Sequence, residues 1–364
     1  MKESNGWAVN TDREQRTGRA KSALLAASIV VGLGLPGANA LAQTVTANCP
    51  GDSIQALLNL APPAIKSGTM IINGTCTEDV LVTLDNARFE GGVGGTVNGT
   101  ITVDGARRVV FQNLTVTGAG DGIVGTNGAD FDVYDTTIIS NANQGLIVTN
   151  NSHVDANNLT VADSLGLGVE VLLNSSMNLS NSTIRDNGAG GIDVSRSASA
   201  FLDVVTVENN TGNGLFVSRH AVVESNGGMT VTGNSAFGVA VGSNSHLALF
   251  NSTVENNQEG ILIFQSSSAE IGLFGNVQIR GNNVRGINIQ DSRLEGGNLI
   301  VENHTSEGIT ASNSGVSLSN STVINNGGDD FSAFFGSRLS FSGNTIGTLS
   351  CDGTVLSRGD LVCP

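Results

Sequence analysis

The chain alternates apolar and variable positions in short bursts, as in "GIDV" (191–194), "GLFV" (214–217), "GILI" (260–263) and "GINI" (286–289). A period of two marks a strand, whose successive side chains point to opposite faces. A second alternating run follows each burst, as in "AFLDV" (200–204) or "HLALF" (246–250), and a third ends in "STIRDN" (182–187), "TVENN" (206–210) or "STVINN" (321–326). Gly, Ser and Asn separate the runs, which are too short for helices.

The bursts recur. Their opening glycines, Gly122, Gly145, Gly168, Gly191, Gly214, Gly238, Gly260, Gly286 and Gly308, are spaced by 23, 23, 23, 23, 24, 22, 26 and 22 residues. Weaker copies precede them at "DVLV" (79–82) and "TITV" (100–103). A fixed period is the signature of a repeat architecture. Three strands per repeat leave no room for a crossover helix, so the chain must coil with each strand lying parallel on its copy one turn later. The predicted fold is all-β, a parallel β-helix of about 11–12 rungs. Offsets +1, +3, +9, +11 and +16 from each opening glycine are mostly Ile, Val, Leu and Ala and should stack inside, while +2, +8, +10 and +17 should face water. Asp163, Asp186, Asn209, Gly233, Asn256, Gly281, Asn303 and Asn325 form a polar column after the third run. Such a column suits a rung-to-rung hydrogen-bonded ladder and a turn backbone.

The "GI-x-V…N-N-x-x-x-G" rhythm resembles the right-handed parallel β-helix repeats of the pectate-lyase-like superfamily, over residues 79–345. That resemblance implies a fold and leaves function open, because the superfamily includes polysaccharide lyases, hydrolases, epimerases, tailspikes and adhesins. Gly at 48 of 364 residues, 5 Pro and 4% aromatics agree with tight turns around a thin aliphatic core.

Residues 1–42 read as a secretory signal peptide, with a basic lead (Arg13, Arg16, Arg19, Lys21), an apolar run and cleavage after Ala40 or Ala42. Its "GLGLPG" matches a dinucleotide-binding glycine pattern but lacks the strand–turn–helix context. The protein is expected to be secreted, periplasmic or at the cell surface, with no membrane span once the leader is removed. Beyond the leader, 12 Lys and Arg stand against 29 Asp and Glu, a balance of −17, with Lys66 the one lysine. Such a surface should repel nucleic acid and acidic membranes.

The four cysteines form two local pairs, and in an exported chain two end staples follow: Cys49 with Cys76, and Cys351 with Cys363. Residues 43–78 are expected to cap the first rung with a short helix, Asp52 and Gln55 forming a capping box and Ile54, Leu57, Leu58 and Leu60 covering the core. Residues 346–364 should cap the other end.

Equal offsets in successive rungs lie about 4.8 Å apart, which turns the alignment into a surface map. Offset +17 alternates sign (Arg185, Glu208, Thr232, Glu255, Arg280, Glu302) and reads as a stabilising ladder. Offset +2 instead stacks Glu170 on Asp193, with Arg196, Arg219 and His220 a few residues along the same rungs. Carboxylates beside guanidiniums and an imidazole could bind a sugar acid, or supply catalytic groups. Asp132 and Asp155 stack at +10, and Arg108, Asp130 and His153 at +8; Asp130, Asp132 and Asp155 are candidate calcium ligands. The resemblance also sets enzyme motifs against the chain. "GGDD" (327–330) resembles the paired aspartates of polygalacturonases, but their GHG and RIK motifs are missing, and it reads as the turn before the capping rung. The invariant 23-residue spacing from Gly122 to Gly214 leaves no inserted loops to wall a cleft, and beyond the leader there is no Trp and one Tyr, Tyr134. These features favour a surface-binding or structural rod toward glycans; the alternative is a lyase or glycoside hydrolase acting on acidic polysaccharide.

Overall fold

The computed structural model describes residues 44–60 and 68–363; the leader segment 1–42 lies outside them. A front sheet of 13 strands carries the "GI-x-V" segments, one per turn, from Val80–Val82 to Leu349–Cys351. A back sheet of 26 strands holds the two other runs of each turn. The register is parallel throughout, and 13 turns exceed the expected number because the Cys351 segment closes one more.

The inward columns are those expected. Leu146, Val169, Ile192, Leu215, Val239, Ile261, Ile287, Ile309 and Phe331 stack in register along the front sheet. Each is buried. The glycine that opens each rung is required by crowding: a Cβ on Gly168 would fall 2.5 Å from Ile184 Cγ2 and 2.7 Å from Asn187 Nδ2.

The polar column forms the expected turn backbone but not the ladder. Asp163, Asp186, Asn209, Gly233, Asn256, Gly281, Asn303 and Asn325 all have φ between 55° and 68°. They supply the left-handed corner, a backbone shape that Gly, Asn and Asp tolerate. The ladder runs one residue later, because the corner turns the next side chain inward. Asn187 donates to Asn210 Oδ1, Asn210 to Asn234 and Asn234 to Asn257, at 2.9–3.0 Å from both backbone and side-chain nitrogens. Asn282 then donates its backbone N–H to His304 Nδ1 at 3.1 Å, while Nε2 reaches the Ile279 carbonyl. That pattern fixes the Nε2–H tautomer, and burial holds the imidazole below its usual range. The ladder ends on the buried carboxylate of Asp330, which accepts from Asn326 and from Thr348. "GGDD" is therefore the closing turn, with Asp330 terminating the spine.

Both disulfides form as expected, Cys49–Cys76 and Cys351–Cys363. The helix Ile54–Leu60 also forms, but its cap differs from the expected box. Ser53 Oγ accepts from the Ala56 N–H, and Glu78 reaches in from the first rung to take the Ile54 and Gln55 N–H groups at 2.6 and 3.2 Å. Asp52 instead accepts from Asn48, and Gln55 from Leu81. Ile54, Leu57 and Leu58 are buried, whereas Leu60 is 74% exposed, one residue too far round the helix to reach the core.

Candidate functional site

The front-sheet strands Leu167–Val171 and Gly190–Ser195 put Glu170 directly beside Asp193, by their paired register. Alternation sends Val169, Val171, Ile192 and Val194 into the core, so both carboxylates must face outward. Along the same outward column the residues are Val124, Ile147, Glu170, Asp193, Phe216, Ala240 and Leu262. From Val124 to Leu262 the acid pair is thus flanked along the stripe by apolar side chains, with Thr102 and Asn288 next in the column at either end. Phe216, next in register after Asp193, was missed by the sequence reading, which looked for Trp and Tyr; its place at offset +2 was the available signal.

This setting weakens the acidity of the pair. Burial, and then the neighbouring Asp193 charge, push the Glu170 carboxyl above its ordinary range, and Asp121 adds to the effect while Arg196 opposes it. Burial likewise raises Asp193, against a hydrogen bond from Ser195 and the charges of Arg219 and Arg196. Asp193 Oδ1 is buried without a hydrogen-bond partner. An ionised carboxylate there is held at a cost.

Arg196 and Arg219 occupy the turns that leave the front sheet. Each begins a left-handed pair, Arg196–Ser197 with φ of 57° and 64° and Arg219–His220 with φ of 56° and 67°. The turns are cross-linked by the Ser197 N–H to the Arg219 carbonyl at 3.0 Å. Arg196, Arg219 and His220 are exposed. The arginines lie close enough to act on the carboxylates yet form no ion pair with them, so their guanidinium forks are open to solvent. The charges bearing on Asp193 are those of the two arginines; His220 stands beside Arg219 at the rim.

A pH test of the pair follows. A carboxyl whose folded pKa is raised is favoured in its protonated form, so its contribution to stability is present below the unfolded value and is lost as pH rises through the folded one. Asp193→Asn should therefore raise Tm at pH 7 by ~1–2 °C, with no gain at pH 3.5. Thermal melts at the two pH values check this; an equal gain at both would show that charge is not the cause.

The other acidic cluster lies on the back sheet. Asp130 pairs in register with His153, and Asp132 with Asp155. Asp155 Oδ1 accepts from Asn178 at 2.7 Å and lies 3.2 Å from His153 Nε2. Burial, then the Asp155 charge, raise the Asp132 carboxyl. Among the described residues no three carboxylate, His or Cys side chains converge as a metal site would require. Arg107, and not Arg108, stands opposite Asp130, because the register shifts there and Arg108 takes a left-handed φ of 57°. At offset +17, Arg280 pairs with Glu255 at 2.7 Å, whereas Arg185 turns to its neighbour Asp186.

The fold is similar to solved structures of polysaccharide-modifying enzymes. The A-module of mannuronan C-5 epimerase AlgE6 from Azotobacter vinelandii matches with a TM-score of 0.59 at 16% identity, over 85% of this chain and 95% of that one. A double mutant of the periplasmic alginate epimerase AlgG matches with a TM-score of 0.51 at 14% identity, over 86% of this chain and 82% of that one. At such identities the likeness is one of fold. No curated protein sequence matches the chain. The family model described as "Right handed beta helix region" matches residues 70–236 and 237–362, nearly all of the described solenoid. The chain therefore belongs to the right-handed β-helix family.

Proposed function

We propose that the protein is an exported β-helix rod that binds glycans along its front sheet, at Glu170, Asp193, Arg196 and Arg219, with His220 at the rim. The observation that carries this is the stripe itself. Two partly desolvated acids, two unpaired guanidiniums and the Phe216 ring lie along one axial face, the mixture of apolar floor and oriented polar groups that a saccharide needs. An apolar ring can support a sugar face, and arginine can fork onto carboxylates or hydroxyls. The outward carboxylates can accept hydrogen bonds from sugar hydroxyls. Two disulfides support an oxidising compartment. Among the described residues no helix is long and apolar enough to cross a membrane. The names of the structural neighbours, acting on mannuronan and alginate, support acidic polysaccharides as the first ligands to try.

The test compares wild type with Arg196→Ala/Arg219→Ala on a panel of neutral and acidic polysaccharides. Two lost charge-assisted contacts should weaken binding about 100-fold or more, while melting changes little, since exposed positions rarely exceed about 0.5 kcal/mol. Full binding by the double variant would remove the assignment. A much earlier melt would make the arginines structural partners of Glu170 and Asp193. The same polymers, assayed for unsaturated product and new reducing ends with and without calcium, separate binding from lyase or hydrolase turnover.

A further inference from the structure

Of the 12 Lys and Arg beyond residue 42, three meet in one recess of the back sheet near its C-terminal end. One outward column there reads Arg293, Gly315, Arg338 and Leu356, and the next reads Glu295, Ser317, Ser340 and Arg358. Gly315 contributes no side chain between two arginines two strand spacings apart, about 9.6 Å. The gap opens a recess of about 660 Å³, floored by the Ser317 and Ser340 positions.

Two of its arginines, like Arg196 and Arg219 on the front sheet, lack the carboxylate partner that other arginines of the rod have. Arg185, Arg280 and Arg285 each hold a carboxylate. Arg293 shares Glu295 at 3.2 Å with both side chains well exposed, and among the described residues Arg338 and Arg358 make no ion pair at all. A chain with 32 Asp and Glu has acids available to neutralise them, yet the one acid in these columns, Glu295, serves Arg293, and the positions between it and Arg338 and Arg358 are Gly315, Ser317 and Ser340. A recess lined with unpaired guanidiniums and hydroxyls matches an oxyanion, which an arginine fork grips through two parallel hydrogen bonds.

We propose that this recess is a second binding site, separate from the front sheet, for oxyanions carried on a polysaccharide: a carboxylate or a sulfate ester. Arg338 and Arg358 provide the grip, Arg293 closes one end and Ser340 offers its hydroxyl. The nature of the polymer rests on the glycan reading above; the location of the site does not.

Calorimetry of the full mature chain with polygalacturonate, dextran sulfate and neutral dextran tests it, using wild type, Arg338→Ala/Arg358→Ala and Arg196→Ala/Arg219→Ala. Wild type should bind at least one of the two charged polymers. The Arg338→Ala/Arg358→Ala variant should lose at least tenfold in affinity for that polymer at one class of sites, with an unchanged melting temperature, while Arg196→Ala/Arg219→Ala keeps that class. Preference for polygalacturonate or dextran sulfate identifies the anion as carboxylate or sulfate. Unchanged binding by Arg338→Ala/Arg358→Ala overturns the recess and leaves the front-sheet reading standing. Neutral dextran competing as well as the charged polymers also overturns it. So does failure of wild type to bind either polyanion, in which case neutral polymers still decide the front-sheet reading.

Discussion

Replacing Asn234 by alanine should destabilise the protein by about 3–5 kcal/mol, as much as removing a large core side chain. The side chain contains few atoms, but it is fully buried and joins three turns. Its Oδ1 accepts from the Asn210 backbone and amide nitrogens, and its Nδ2 donates to the Val207 carbonyl and to Asn257. Truncation leaves the Asn210 backbone N–H without an acceptor and takes the amide donor from the Val207 carbonyl, while Asn210 Nδ2 keeps only the Ile184 carbonyl, and each such orphan costs about 1–3 kcal/mol. Asn256→Ala, one residue before the next member of the spine, makes a sharp control. Asn256 is exposed at the left-handed corner with φ of 56°, so its loss should cost only ~1 kcal/mol of backbone preference. Urea denaturation followed by circular dichroism would separate the two. Equal effects would mean that the corner, and not the buried spine, sets the energetic value of the repeated "NN".

Removing the N-terminal staple is expected to be nearly as damaging. Cys49 and Cys76 are separated by 27 residues, a loop whose closure is worth about 3.5 kcal/mol in the chain-entropy account. The Cys49→Ser/Cys76→Ser protein should lose that stability and expose the capping helix to protease. Only Glu78 and the three apolar side chains Ile54, Leu57 and Leu58 would then hold the helix. The Cys351→Ser/Cys363→Ser variant, with 12 residues of separation, should lose somewhat less. A melt unaffected by the first double substitution would show that the cap docks without its covalent tether.

The repeats made the architecture readable because a solenoid reuses one set of constraints. Each inward Ile or Val appears many times, so local ambiguity averages out along the column. Features that occur once were harder to see. Glu78 caps a helix from outside its own segment, and only the winding of the first rung brings it there. The Asn column was misplaced by one residue because "NN" holds two asparagines, and composition cannot say which one the corner turns inward. Arg108 looked like a partner of Asp130 because constant offsets hide a bulge. At the candidate site, the stacking of Glu170 on Asp193 followed from counting alone, whereas the desolvation of the pair depends on what flanks it in three dimensions. Phe216 stands in the same column, where its offset of +2 already marks it as outward-facing, but an aromatic at a single rung carries no repeat signal.

The steady 23-residue pitch between Gly122 and Gly214 also constrains how such a gene can change. An odd insertion inside a strand would turn the later side chains of that strand to the other face and pull its asparagine off the spine. The longer step from Gly260 to Gly286 is tolerated because its extra residues include the corner around Phe274, which projects into solvent and leaves both flanking strands in register. Duplication or loss of a complete turn preserves every axial contact except at the seam, since each rung touches only its neighbours. Length is then inherited in quanta of one turn, and the rod can be extended or shortened by gain or loss of whole repeats while the caps and both ends of the spine stay as they are.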